Sequence, residues 1–156
     1  MASRPVPLTK EGLDKLQKEL DFLQNVRRAE VAQRIHDSKE LVGAQNVPEY
    51  EDARNEQAFV EGRIAEIEHF LQNAVMIEDG HKDHQKVGLG STVRVKDHQG
   101  KIQAYTIVGV AEADPKAGKI SNESPVGAAL LGHKLGEEVE FKAPAGILKW
   151  KVVSID

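Results

Sequence analysis

Cysteine is absent from the 156 residues. Disulfides, thiolate metal sites and thiol catalysis are excluded together. Aromatic residues make up only 4%, which disfavours stacking platforms for single-stranded nucleic acid. Long apolar stretches are missing too. With no run of about eighteen apolar residues, no transmembrane helix is expected. The opening Met1 to Leu8 segment lacks the apolar core of a signal peptide, so a cytoplasmic protein without a membrane role is the simplest expectation. Excess positive charge is also lacking. The net charge is −4, so bulk charge does not mark a polybasic nucleic-acid binder. There is no serine–histidine–acid set, P-loop or dinucleotide glycine pattern. Gly88-Leu89-Gly90 precedes a strand pattern rather than a helix, the wrong context for phosphate binding. No internal repeat or low-complexity tract occurs.

What is present is a strong helical period from Thr9 to Ala74. Tyr50, Ala53, Gln57, Val60, Ile64, Ile67, Leu71 and Ala74 recur in steps of three and four. This is the seam of helices that pack along their length. A first arm answers with Leu13, Leu16, Leu20 and Leu23, then weakens to Val31 and Ile35. Between the arms, Gly43 suits a helix end, Asn46 suits a cap and Pro48 suits a first turn. The arms are therefore predicted to fold back antiparallel as an αα-hairpin with its tip near 41–48. An arm of some thirty residues reaches about 45–50 Å, longer than a compact domain of this size is wide. Residues 2–8 read as an irregular lead-in. Thr9 is the predicted N-cap of a helix running to about Leu41, with Glu11 in its first turn. The second helix is predicted from near Pro48 to near Asn73. Glu49, Glu51 and Asp52 at its start either offset the helix dipole or carry function.

Val75 to Ile77 is a short apolar step, and Glu78 to Gln85 is polar and charged. The domain boundary is placed there, giving a hairpin domain over 1–78 and a second domain over 79–156. From Val87 the period changes to two. Val93 and Val95 alternate with Thr92, Arg94 and Lys96; Asp97 to Gly100 turns the chain, and Lys101 to Val108 answers. Lys119 to Ser121 reads as a third strand and Glu137 to Lys142 as a fourth. Leu148, Trp150 and Val152 belong to the last. Ser124 as N-cap, Pro125 at the first position and Gly132 at the end delimit a short helix through Leu131. The whole is a two-domain α+β chain: a long coiled-coil hairpin, then a small antiparallel sheet with one helix across it.

Three groupings carry candidate chemistry. Asp37 and Glu40, three apart on one helix face, suit a hard cation with a partner's help, or a solvated surface paired with Arg34 and Lys39. His81-Lys82-Asp83-His84 collects two imidazoles and a carboxylate at loose spacing in what reads as a linker. Arg27, Arg28, Arg34, Lys39 and Arg54 put positive charge on the distal hairpin, to meet a phosphate backbone or to pair with Glu30, Asp37 and Glu51. On these residues alone the chain is a rod-plus-globule interaction protein with no self-contained active site and no metal site of its own.

Longer motifs sharpen this. Pro7 to Gly12, Leu16 to Leu20 and Val26 to Val31 resemble the start of the bacterial Gre family of transcript-cleavage factors. Pro48 to Ile64 is similar to that family's second hairpin helix nearly position for position. Gly90 to Val93, Tyr105 to Gly109, Ile120-Ser121, Ser124 to Gly132 and Gly136-Glu137 match its C-terminal domain. The resemblance covers essentially the whole chain. It implies an N-terminal antiparallel coiled coil and a C-terminal FKBP-like domain. It implies that the second domain docks at the rim of the RNA polymerase secondary channel while the coiled coil reaches the active site. There, tip carboxylates help hold the second Mg²⁺ of the polymerase and its water, and the polymerase hydrolyses its own backtracked transcript. The factor would then be no enzyme itself. It would have bacterial RNA polymerase and the nascent RNA 3′ end as partners, no cofactor of its own, and act as a monomer.

The tip departs from the family pattern. The family reads Gly-Asp-Leu-Lys-Glu-Asn ahead of the segment matching Pro48-Glu49-Tyr50. Aligned without gaps, the catalytic Asp falls on Gly43 and the catalytic Glu on Asn46, and neither supplies a carboxylate. Asp37-Ser38-Lys39-Glu40 repeats the Asp-x-Lys-Glu pattern six residues early, about 9 Å along a helix. Glu40 and Glu49 are the nearest substitute acids, and the Asn46 amide offers a water-orienting group. The leading expectation is an elongation factor that rescues arrested complexes by stimulating cleavage. The alternative is a non-cleaving channel-binding inhibitor or pause modulator. A peptide-binding or prolyl-isomerase-like module is a third, disfavoured by the low aromatic content. Arg34, Lys39, Arg54 and Arg63 are expected on the basic, RNA-facing side, and Ser124, Pro125, Leu130, Leu131 and Gly132 at the docking surface.

Overall fold

The computed structural model describes residues 4–40, 47–77 and 83–156. It divides into two compact units, Leu13–Asn73 and Met1–Gly12 with Ala74–Asp156.

The first unit is the expected helical hairpin. One arm is α1 (Lys10–Phe22), a π-turn over Leu23–Arg27, and α2 (Arg28–Glu40). The other is α3 (Val47–Gln72), an unbroken 26-residue helix about 39 Å long. Ala53, Val60, Ile64 and Ile67 of the predicted seam are buried along α3. Opposite them, Val31 and Ile35 are buried, with Leu20, Leu23 and Tyr50 packed against the cluster.

The π-turn explains the weakening of the first arm. A regular seam continuing from Leu13, Leu16, Leu20 and Leu23 would use Arg27 and then Glu30, Arg34 and Asp37. The buried residues are instead Val31, Ile35 and Ser38, each one position later. A π-turn accommodates one extra residue per turn, so the extra residue is absorbed between Leu23 and Arg27. Both halves of the arm then keep their apolar side on α3. The predicted continuous helix to Leu41 is therefore corrected to two α-helices joined in phase. Residue 41 lies outside the described residues.

The second unit opens with a finding that the two prolines of the lead-in concealed. Val6–Leu8 is a strand, β1, paired in parallel with β2 (Ala74–Met76). Leu8 is fully buried. Thr9 then caps α1 as predicted, its Oγ1 accepting from the Gly12 N–H at 3.0 Å. Glu112 closes this turn by accepting from the Thr9 N–H at 3.0 Å and from its hydroxyl at 2.6 Å. The carboxylate occupies the space a side chain on residue 12 would need: a Cβ there would sit 2.2 Å from Glu112 Oε1.

The main sheet has the order β5-β4-β3-β7-β6, with β3 Thr92–Lys96, β4 Ile102–Val108, β5 Lys119–Ser121, β6 Glu138–Ala143 and β7 Gly146–Ile155. All neighbours are antiparallel except β4 and β5, which run parallel. The β3–β4 hairpin forms at the predicted turn. Asp97 Oδ1 accepts from the N–H groups of Gln99 and Lys101 at 2.9 Å each, and Gly100 takes φ +83°. α4 (Pro125–Leu130) lies against the sheet, and Leu130 joins Val93, Val95, Ile107, Val139 and Val152 in one core. Ser124 caps it: its Oγ accepts from Gly127 N–H at 3.0 Å and donates to Ser121 O at 2.6 Å. A Cβ on Gly127 would stand 2.0 Å from that same carbonyl, so only glycine lets α4 sit this close to β5.

Candidate functional site

The hairpin brings the candidate residues together in two tiers. Nearest the tip, Glu40 is the last residue of α2 and Glu49 lies in the first turn of α3. Both are exposed. Gly43 and Asn46 lie outside the described residues. Glu49 shares a shallow cleft with Arg34, Asp37 and Ser38, so an acid from each arm faces one space. Glu40 turns instead to His36, with Oε1 3.3 Å from Nε2. Ser38 is buried and donates to Ile35 O at 2.9 Å. Asp37 accepts from Gln33 Nε2 at 2.8 Å, so the expected Asp37–Arg34 pairing does not form. Among the described residues, no three histidine or acidic side chains stand close enough to hold a metal ion. Of the histidine-bearing linker, residues 81 and 82 lie outside the described residues. His84 places Nδ1 3.3 Å from Ile155 O.

The second tier is a lattice of arginines bridging the arms. Glu56 of α3 receives both Arg27 and Arg34. Arg28 makes a two-pronged contact with Glu61 at 2.9 and 2.8 Å. This raises the arginine and holds the Glu61 carboxyl below its usual range, chiefly through the hydrogen bond. Arg63 grips Glu19 with the same fork at 2.8 and 3.0 Å and also reaches Glu66. Its pKa is raised, first by the Glu19 hydrogen bond. Consecutive arginines 27 and 28, about 100° apart around the helix, reach different acids of α3.

Of the four residues expected on a basic face, Arg34 and Arg63 are thus engaged in ion pairs. Lys39 Nζ stands 5.7 Å from the Tyr50 ring centre. Arg54 is exposed and, among the described residues, makes no ion pair. In the globular unit, Ser124 and Pro125 form the start of α4, Leu131 is half-buried, and Gly132 takes φ +83°. Leu130 is corrected. It is completely buried, so it anchors α4 from beneath and offers no surface.

Sequence reasoning also missed an aromatic cluster. Trp150 stacks on Tyr105 at 5.6 Å and meets the edge of Phe141 at 4.5 Å. Burial raises the Tyr105 phenol. Few aromatics in the chain did not mean dispersed ones. Their positions on the inward side of alternating strands were the available signal.

The family described as "Transcription elongation factor, N-terminal" matches residues 6–76, and "Transcription elongation factor, GreA/GreB, C-term" matches residues 82–156. The transcription elongation factor GreA of Thermoanaerobacter pseudethanolicus is 49% identical over 154 residues, covering 98% of each chain. That of Caldanaerobacter subterraneus subsp. tengcongensis is 48% identical with the same coverage. The crystal structure of GreA factor homolog 1 of Thermus thermophilus is 33% identical, covers 98% of this chain and 99% of its own, and has a TM-score of 0.45.

Proposed function

Since the chain belongs to the GreA/GreB family of transcription elongation factors, we propose that it rescues arrested RNA polymerase by stimulating cleavage of the backtracked transcript. The globular unit docks at the rim of the secondary channel through the exposed parts of the Ser124–Gly132 segment. The hairpin enters the channel tip first, as a monomer, in the cytoplasm. The polymerase keeps the catalysis and would supply the Mg²⁺, whose chemistry there would be activation of water and stabilisation of the leaving oxygen. The chain adds ligands and orientation at the tip. Glu49 is the acid best placed for this, sharing its cleft with Asp37 of the other arm, and Glu40 and the Asn46 amide are the further candidates. Arg54, an exposed basic-face residue without an acidic partner among the described residues, meets the extruded RNA.

The observation that carries this reading is the placement of an acid from each arm in one cleft beside the tip segment. The departure at Gly43 and Asn46 favours a second reading, in which the hairpin occupies the channel and does not promote cleavage.

One experiment separates them. A stalled, backtracked complex is built from the cognate polymerase with end-labelled RNA, and shortening is followed with Mg²⁺ present. Stimulated cleavage that falls at least tenfold in Glu49→Ala is expected. Full competition with an active factor but no shortening would establish the non-cleaving reading. Cleavage unchanged in both Glu49→Ala and Glu40→Ala would remove these acids from the tip chemistry.

A further inference from the structure

The outward side of the main sheet carries a charge pattern that the hairpin reading leaves unused. On β3 the exposed positions are Arg94 and Lys96, alternating with buried Val93 and Val95. On the neighbouring strand β7 the exposed Lys149 and Lys151 alternate with inward Leu148, Trp150 and Val152. These four cations therefore share one face of two adjacent central strands. Lys96 and Lys151 are direct cross-strand partners. Like charges placed opposite one another destabilise a sheet, a cost that Glu138, opposite Lys151 on its other side, offsets only in part. The flank on β4 presents Ile102 opposite Lys96 and Ala104 opposite Arg94, neither of them acidic. Acids enter only from the edge strand β6, where Glu140 lies 3.3 Å from Lys149 and Glu138 is the partner of Lys151. All this is carried by a chain of net charge −4.

We propose that this face binds the phosphodiester backbone of a nucleic acid. Positions two apart on a strand are separated by about 6.6–6.8 Å. One strand of a duplex carries a charge every 3.4 Å along its axis, so Arg94 and Lys96, which have no acidic cross-strand partner, match alternate phosphates. Arg94 adds a planar fork suited to phosphate oxygens. A sheet face with cations at a two-residue pitch suits a regular polyanion better than the irregular carboxylates of an acidic protein. Binding through the backbone reads no sequence, and nothing on this face offers base-specific readout.

The test uses the full chain and needs no polymerase. Fluorescence anisotropy is measured with a labelled DNA duplex and a labelled single-stranded RNA across a salt series, for the parent and for Lys96→Ala/Lys151→Ala. The parent is expected to bind more weakly as salt rises, and the double variant to lose at least tenfold at low salt. Each lost phosphate contact lowers the log–log salt slope by about 0.9 for a duplex, so the slope should fall by about 2. Thermal melting should be unchanged or higher in the double variant, since a like-charge pair is gone. Absence of binding to both nucleic acids at low salt would overturn the proposal, as would an unchanged slope. Loss of the slope in Arg54→Ala alone would move the contact to the hairpin. Tighter binding of polyglutamate than of duplex at equal salt would make the partner an acidic protein surface instead.

Discussion

Arg28 follows the π-turn directly and gives both ends of its guanidinium fork to Glu61. The pair has a pH signature. The Glu61 carboxyl is held below its ordinary range in the folded chain, chiefly by the Arg28 hydrogen bond. A depressed folded pKa gives stability that is present above the unfolded value, about 4.3. It is lost as pH falls through the lower folded value. Urea unfolding of the parent between pH 6 and 3 should therefore show a loss that Glu61→Gln lacks, and matching pH profiles would refute the assignment. At this scale the sequence was only partly legible. The distal arginines stood out, and one named partner, Glu30, does take Arg27 at 2.9 Å, but the partners across the arms did not. Arg34 sits three residues from Asp37, and helix spacing favours that pair. The structure sends it across to Glu56, because choice of partner depends on how two helices are phased. Leu130 misled for a related reason. A leucine in a capped, glycine-ended helix reads equally as anchor or as contact until the sheet beneath it is seen.

At the level of elements, hydrophobic period did most of the work. The seam of α3 is buried where its steps of three and four place it. Thr9 and Ser124 cap the helices they were expected to cap. The π-turn was hidden in plain counting, as an eight-residue gap from Leu23 to Val31 where a heptad needs seven. That count gives a prediction. Deleting Asn25 shortens the gap to seven, so the π-turn should convert to regular α-helix with every buried residue kept on its face. Its melting temperature should stay within a few degrees of the parent. Deleting Ala65 from the unbroken α3 should instead rotate Ile67 and Leu71 by about 100° relative to Val60 and Ile64 and lower the transition sharply. Circular dichroism melts of the two deletions decide it; equal losses would mean the turn is not a register device. β1 escaped notice because Pro5 and Pro7 argue against a strand. Proline is tolerated there because a two-stranded sheet is all edge.

Across the whole molecule, order along the chain and membership of a compact unit do not coincide. Val6–Leu8 pairs with Ala74–Met76 and continues into the Thr9–Glu112 contact, so the first residues belong to the sheet unit. Removing residues 1–8 should therefore destabilise the sheet unit, although it leaves the hairpin seam and the five-stranded sheet intact. The measurable result is faster hydrogen exchange at Ile77, whose N–H donates to Leu8 O at 2.8 Å. Unchanged exchange there would mean β1 adds nothing. During synthesis this has a consequence in time. The hairpin is complete when its second arm clears the ribosome, and the strand that pairs with Val6–Leu8, Ala74–Met76, follows at once, whereas Glu112, which closes the Thr9 turn, is made later. The growing chain can thus close its rod with a strand pair before the five-stranded sheet has been made.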